Sequence, residues 1–473
     1  MVFSSNLFLL LFLPLFLIAY YLTPQRFRNY TALTASLFFY SWGGPLFVFV
    51  VLSSIVVDFY IVQMMYSAEH KRKQWLLGIS VFLNVGLLAY FKYANFFVEN
   101  VNGIIEGFGG EPVPWLKVAL PIGISFFTFQ KLSYTIDIYR NVHGPLKKVS
   151  DYALYILLFP QLIAGPIVRF GEIADRIEDR RKWETIDNKL TGFFRFVIGL
   201  SKKVLISNPL GEYSKEIFEM GYYELTTPLA WMGAIAFAFQ IYFDFAGYSD
   251  MAIGIGKMLG FKFPENFNSP YISQNITEFW RRWHITLGRW MRDYLYIPLG
   301  GNKVSPKRMY FNLWVVFLIS GLWHGAAWNF IAWGAFHGFF LIADRLFLLK
   351  FTTAIGKWPS IIFTFVITLF GWVIFNASDM AAALNYMQHM VEFDFSSNDM
   401  IFYNDFWIIS AIAIFFSFLT AFSFGLRLER NVFESVYSLK GTVAMYAICM
   451  LLLLICVSSI NTSDFNPFIY FRF

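Results

Sequence analysis

The chain has 473 residues, of which 57% are hydrophobic, 21% aromatic and only 14% charged, with a formal net charge of +6. A soluble globular domain carries about 25% charged residues, so this composition, with a mean hydropathy of +0.53, excludes a soluble enzyme and requires contact with lipid. The positive balance does not mark a nucleic-acid binder, because Lys and Arg gather in short segments between apolar runs, where they mark the cytoplasmic side of a membrane protein.

Crossing the hydrocarbon core as helix takes ~20 apolar residues. The first run, 5–22, has no basic segment before it and no small-residue cleavage site after it, so it reads as a retained helix rather than a signal peptide. Further candidate spans are 46–66, 75–95, 229–246, 309–323, 329–349, 357–376, 406–426 and 441–460. The runs 30–42, 117–138, 152–168 and 191–207 are shorter or interrupted by Gly, Pro or charge. No linker-rich boundary or internal repeat divides the chain, so one all-α, polytopic membrane domain over 1–473 is expected. Cys449 and Cys456 share the last run and offer neither a disulfide framework nor metal spacing, and no metal is expected.

Loop charges alternate. Lys71, Arg72 and Lys73 follow the third run; 96–115 has Glu99, Glu106 and Glu111 without a Lys or Arg. The segment 379–405 holds Asp379, Glu392, Asp394, Asp399 and Asp405, again without a basic residue. The positive-inside rule places the N-terminus, 379–405 and the C-terminus outside, and 67–74 and 169–189 in the cytoplasm. One run breaks the pattern: 152–168 has Lys147 and Lys148 before it and Arg169, Arg176, Arg180, Arg181 and Lys182 after it. Its centre, Phe159-Pro160-Gln161-Leu162-Ile163-Ala164-Gly165-Pro166, suits a re-entrant segment lining a cavity, where protein or water can satisfy the freed backbone.

Three clusters can carry chemistry. In Gln240-Ile241-Tyr242-Phe243-Asp244-Phe245-Ala246-Gly247-Tyr248-Ser249-Asp250, Asp244 lies nearer the apolar side and is the functional candidate, while Asp250 suits capping or pairing with arginine. Residues 275–295 read as one amphipathic helix, with Asn275 and Glu278 as a loose capping box and Trp280, Trp283, Leu287, Trp290 and Tyr294 along one face. Arg281, Arg282, Arg289 and Arg292 lie off that stripe, and they fit either an interfacial anchor or a cationic mouth for the phosphates of an anionic donor. Finally, His324 in Ser320-Gly321-Leu322-Trp323-His324-Gly325 and His337 in Trp333-Gly334-Ala335-Phe336-His337-Gly338 are two of only six histidines, placed in or beside apolar runs. An ionisable group there marks a functional site by default, although a helix-to-helix hydrogen bond would also account for it. No P-loop, G-x-S-x-G elbow, H-E-x-x-H or dinucleotide fingerprint is present, so any chemistry must use membrane-embedded residues.

These segments, together with 1–6, 90–95, 120–126, 162–166, 277–284 and 292–296, resemble the membrane-bound O-acyltransferase (MBOAT) family, and within it the members that acetylate alginate. The resemblance covers nearly the whole chain and weakens after about residue 380. It implies a ring of transmembrane helices with re-entrant segments around a central tunnel, in the inner membrane of a bacterium. It implies that His324 is catalytic, with His284 and Asp244 as polar tunnel residues beside His337. The implied donor is cytoplasmic acetyl-CoA. The implied acceptor is an extracytoplasmic polysaccharide such as alginate, reached through an SGNH-type acetyltransferase partner. Two alternatives remain at this point: D-alanyl transfer to teichoic acid from a carrier protein, and a channel or transporter with a histidine proton relay.

Overall fold

Inside a bilayer each backbone N–H and C=O must be paired within the protein, and a helix does this locally. The computed structural model is accordingly helical, with no strand among the described residues, which are 1–163, 165–396, 400–433, 437–462, 465 and 469. Ala164 and Asp399, named above, lie outside them. Among the described residues six helices are long and apolar enough to cross a membrane: Phe47–Tyr66, His70–Gly107, Thr227–Met258, Lys357–Asn376, Asn404–Ala421 and Leu439–Thr462. The expected first span is a shorter apolar helix, Leu7–Leu22. Contacts divide the chain into two compact units.

The first unit comprises Met1–Gly192 and Ile255–Pro264. Its helices are α1 (Leu13–Leu22), α2 (Arg28–Gly43), α3 (Phe47–Tyr66), α4 (His70–Leu88), α5 (Ala94–Gly107), α6 (Ile124–Tyr139), α7 (Val149–Leu157), α8 (Phe159–Leu162) and α9 (Phe170–Glu178). Almost every residue of α6 is buried, polar ones such as Gln130, Lys131 and Asp137 included. Arg180 secures the returning strip 255–264, donating from Nε to the Leu259 carbonyl at 3.1 Å and to Tyr20 Oη at 3.0 Å. No single helix covers 152–168. The chain breaks at Leu158 (φ −53°, ψ 109°), makes one turn as α8 and leaves helical geometry after Leu162. Pro160 and Gly165 foretold this break, and the close approach behind it requires glycine: a Cβ on Gly165 would stand 2.6 Å from Gln161 Cα.

The second unit comprises Phe193–Gly254 and Glu265–Phe473. The chain reaches it along α10 (Ile186–Ser201) and continues through α11 (Asn208–Phe218), α12 (Thr227–Met258), α13 (Ile276–Arg282), α14 (Ile285–Met291), α15 (Pro306–His324) and α16 (Trp328–Ala343). It closes with α17 (Leu349–Ile355), α18 (Lys357–Asn376), α19 (Met380–His389), α20 (Asn404–Phe418), α21 (Ser423–Phe433) and α22 (Leu439–Thr462). Its core is strongly aromatic, with Tyr271, Phe279, Trp283, Trp333, Trp372 and Phe375 in one buried cluster. Helices α15 and α16 cross backbone to backbone. A Cβ on Gly321 would lie 2.2 Å from the Phe330 carbonyl oxygen, and one on Gly334 would lie 2.3 Å from that of Phe317.

The expectation of one amphipathic helix over 275–295 is corrected here. Half of the expected capping box is present, Asn275 Oδ1 accepting the Glu278 N–H at 2.7 Å, while the Glu278 carboxylate accepts the N–H of Gln274 instead of that of Asn275. But α13 ends at Arg282, and His284 adopts a left-handed conformation (φ 42°, ψ 54°) before α14 begins. The turn swings the indole stripe inward, so Trp283, Leu287 and Trp290 are buried in the protein rather than laid on lipid headgroups. Periodicity could not show this, because an aromatic stripe serves an interface and a core equally well.

Candidate functional site

His324 is the last residue of α15 and is 4% exposed. Three aromatic rings stand edge-on to its imidazole: Trp323 at 4.9 Å, Trp333 at 5.0 Å and Phe375 at 5.4 Å between centroids. The α15–α16 crossing sets this arrangement, since Gly321 lies one turn before His324 and brings Trp333 of α16 alongside it. Gly325 must be glycine for the same reason, because a Cβ there would overlap the Phe330 ring at 2.1 Å.

The other two candidate histidines lie one indole away. Trp333 is 5.0 Å from His337 as well as from His324. Trp323, beside His324, is 6.0 Å from His284. His337 is fully buried among Trp280, Trp333 and Phe336, and neither ring nitrogen has a hydrogen-bond partner among the described residues. The helix-to-helix hydrogen bond that would have explained it structurally is therefore absent there. Its Nε2 faces Gly371 of α18, where a Cβ would approach within 2.7 Å. A buried polar group without a protein partner is costly to keep.

His284 is held by a residue the sequence reading missed. Asn266 Oδ1 lies 3.0 Å from His284 Nδ1 and also accepts the Thr286 hydroxyl at 2.9 Å, while the Asn266 carbonyl accepts the Ile285 N–H at 2.9 Å. A single buried asparagine thus supports the left-handed turn that presents the imidazole, a strained conformation of the kind that collects at working sites. Nothing in Pro264-Glu265-Asn266-Phe267 announces this in sequence, because the partners are set by folding.

Asp244 directly precedes Phe245, whose ring stands edge-on to His284 at 4.7 Å between centroids. Asp244 itself is fully buried and its Oδ1 lies 2.7 Å from Lys203 Nζ, with Oδ2 accepting the Ile469 N–H at 2.9 Å. Six residues on, Asp250 takes Arg195 and Lys202, each at 2.6 Å, as the pairing reading of its sequence expected. Lys203 was missed; its signal was the Lys202-Lys203 pair inside the apolar run 191–207. Among the four arginines, Arg282 is occupied by Glu278 Oε1 at 2.9 Å and the Asn268 carbonyl at 3.0 Å. Arg281 and Arg289 are exposed, and Arg292, though 2.7 Å from Asp293, keeps a side chain 59% exposed.

Residues 10–381 match the model of the membrane-bound O-acyltransferase family. A probable alginate O-acetylase AlgI of Azotobacter vinelandii is 45% identical over 405 residues, 85% of this chain and 80% of the relative. A protein of the same description from Pseudomonas putida is 40% identical over the full length of both chains. A peptidoglycan O-acetyltransferase of Helicobacter pylori is 37% identical over 83% of this chain and 80% of its own.

Proposed function

The chain belongs to the membrane-bound O-acyltransferase family, and we propose that it takes acetyl from cytoplasmic acetyl-CoA and delivers it across the inner membrane for O-acetylation of an extracytoplasmic polysaccharide such as alginate. It is a multi-pass membrane protein and an O-acyltransferase. The acetyl reading is preferred to D-alanyl transfer because the relatives that cover most of the chain carry O-acetyl-transfer names. An SGNH-type acetyltransferase outside the membrane is the proposed partner that places the group on sugar hydroxyls.

The observation that carries the reading is the burial of His324 in an aromatic shell with His284 and His337 each one indole away. Acyl transfer from a thioester needs a base for the proton of the attacking hydroxyl. In the proposed step that hydroxyl oxygen bonds to the acetyl carbonyl carbon, its proton passes to His324, the carbon–sulfur bond breaks, and His324 returns the proton to the departing CoA thiolate. Neutral imidazole is the form such a base requires, and a positioned base is worth on the order of 10²–10⁴ in rate. The donor-side reading assigns Arg281, Arg289 and Arg292 to the phosphates of CoA, with Arg282 bracing the α13 end.

The test is acetyl-CoA turnover and polymer acetylation at equal membrane abundance. His324→Ala should lose both by at least about a hundredfold while remaining inserted. Undiminished transfer by that variant would end the assignment and favour a transporter with a histidine relay.

A further inference from the structure

The first unit contains a buried cation that the chemistry above does not use. Lys131, in the middle of α6, is 2% exposed, and among the described residues it has no hydrogen bond and no carboxylate oxygen within 4.0 Å. Asp58 acts on it only at longer range. That carboxylate is already engaged: Oδ1 accepts Ser80 Oγ at 2.6 Å and Asn84 Nδ2 at 3.0 Å, and Oδ2 accepts Tyr152 Oη at 2.5 Å. Lys131 instead lines a cavity of about 500 Å³ bounded by α3, α4 and α6. Phe49, Val50, Val57, Leu83 and Leu87 make the lining largely apolar, Ser53 and Ser54 add hydroxyls from α3, and the charged groups are Asp58 and Lys131, with Asn84 beside them.

Both α3 and α4 belong to membrane spans most of whose residues are not buried inside the protein, so an occupant can arrive from the bilayer. Asp58 is the twelfth residue of the twenty in α3, which places the polar end of the cavity near mid-depth, ~16 Å along the helix at ~1.5 Å per residue. An ammonium without a hydrogen bond is costly at that depth, and the cost falls if an accepting anion meets it. Asp58 lines the same cavity, but its oxygens are taken by Ser80, Asn84 and Tyr152, so Lys131 is the charged group there with donors to spare, and a deep position among apolar side chains suits a ligand with a compact anionic head and a hydrocarbon body. We propose that this cavity binds a long-chain carboxylate, its head on Lys131 and its chain along the α3–α4 wall.

The test uses the purified full-length protein and a photoactivatable palmitate, with crosslinks located by peptide mass spectrometry. Label should fall on peptides from 47–66, 70–88 and 124–139. Oleate should compete at least about tenfold better than oleyl alcohol, because only the carboxylate forms an ion pair with the ammonium. Lys131→Met should abolish that preference and Lys131→Arg should keep it. Equal competition by the alcohol would overturn the proposal and leave a groove filled by any chain. Stronger competition by phosphatidylglycerol than by oleate would overturn the choice of carboxylate. If Lys131→Met does not fold, the headgroup comparison on the unaltered protein still decides.

Discussion

Asn266 Oδ1 stands 3.0 Å from His284 Nδ1 and 3.4 Å from the backbone N–H of Thr286. A backbone N–H can only donate, so the amide must present its oxygen on this side, and its Nδ2 donates to Ser249 Oγ at 3.1 Å. His284 Nδ1 therefore carries the hydrogen in the neutral ring, and Nε2 keeps the lone pair. In ¹⁵N-histidine-labelled protein, the resonances lost in His284→Gln should be those of an Nδ1–H tautomer. Asn266→Asp, which keeps an accepting oxygen, should preserve that pattern, and Asn266→Leu should mix the tautomers. An Nε2–H ring in the unaltered protein would contradict the assignment, whatever the effect on acetyl transfer.

His337 makes the opposite kind of prediction, because its nitrogens gain nothing from the protein around them. Replacing a polar group that has no partner by an apolar one of similar shape is neutral or stabilising. His337→Phe should therefore hold or raise the thermal midpoint in detergent, its ring staying among Trp280, Trp333 and Phe336. Acetyl turnover should fall by about tenfold or more if the imidazole handles a proton. A stable variant with full turnover would reduce His337 to packing.

Much of this was legible in the chain itself. Length and hydropathy located α3, α18 and α22 within two residues at each end, since an uninterrupted apolar run has one solution in a bilayer. Pro160 and the Gly165-Pro166 pair marked the run 152–168 as interrupted. What the sequence could not show was which face of an aromatic stripe meets protein. Trp283 and Trp290 fit an interface and a core alike until the left-handed turn at His284 decides between them. The same limit hid Asn266 and Lys203, whose roles depend on partners 18 and 41 positions away.

The α15–α16 crossing supplies a mechanical prediction. A Cβ at Gly321 would meet the Phe330 carbonyl oxygen at 2.2 Å and Gly334 Cα at 3.3 Å, and backbone cannot step aside as a side chain can. Gly321→Ala should cost about 1–3 kcal/mol by overpacking. Because His324 follows one turn later, the displaced helix end should also lower kcat. Gly86→Ala, with nothing within 4 Å, is the control and should leave both unchanged or slightly raise stability. Denaturation midpoints and acetyl-CoA turnover for the two variants decide the matter.

The arginines between 281 and 292 should separate into two classes. Arg289 and Arg292 are exposed, so contacts from them to a polyanion are screened over ~10 Å at 0.1 M salt. Arg289→Gln with Arg292→Gln should raise KM for acetyl-CoA by about tenfold at low salt, and by much less at 0.5–1 M, where ~3 Å screening removes most of the difference. Arg282→Gln should instead loosen the Glu278–Asn268 brace and lower stability, without that salt signature. Unaltered donor affinity in the double variant would return α14 to a simple membrane-surface role.

The Lys203–Asp244 pair is the most deeply buried ion pair described here, with side chains 4% and 0% exposed at a separation of 2.7 Å. Removing one partner strands a charge away from water, a loss of about 3–5 kcal/mol, whereas removing both leaves no charge to strand. Lys203→Met and Asp244→Asn should therefore each lower the thermal midpoint more than the combined variant does. Asn is the informative replacement at 244, because it keeps an oxygen for the Ile469 N–H that Asp244 accepts at 2.9 Å. The same four proteins report on the role first read for Asp244 in the sequence. If the carboxylate only neutralises Lys203, acetyl turnover per folded molecule should be regained in the combined variant. If it takes part in proton movement, turnover should stay low there even as stability returns. Midpoints in which the double variant equals the sum of the singles would show that the two charges do not interact, and the pairing itself would then have to be abandoned.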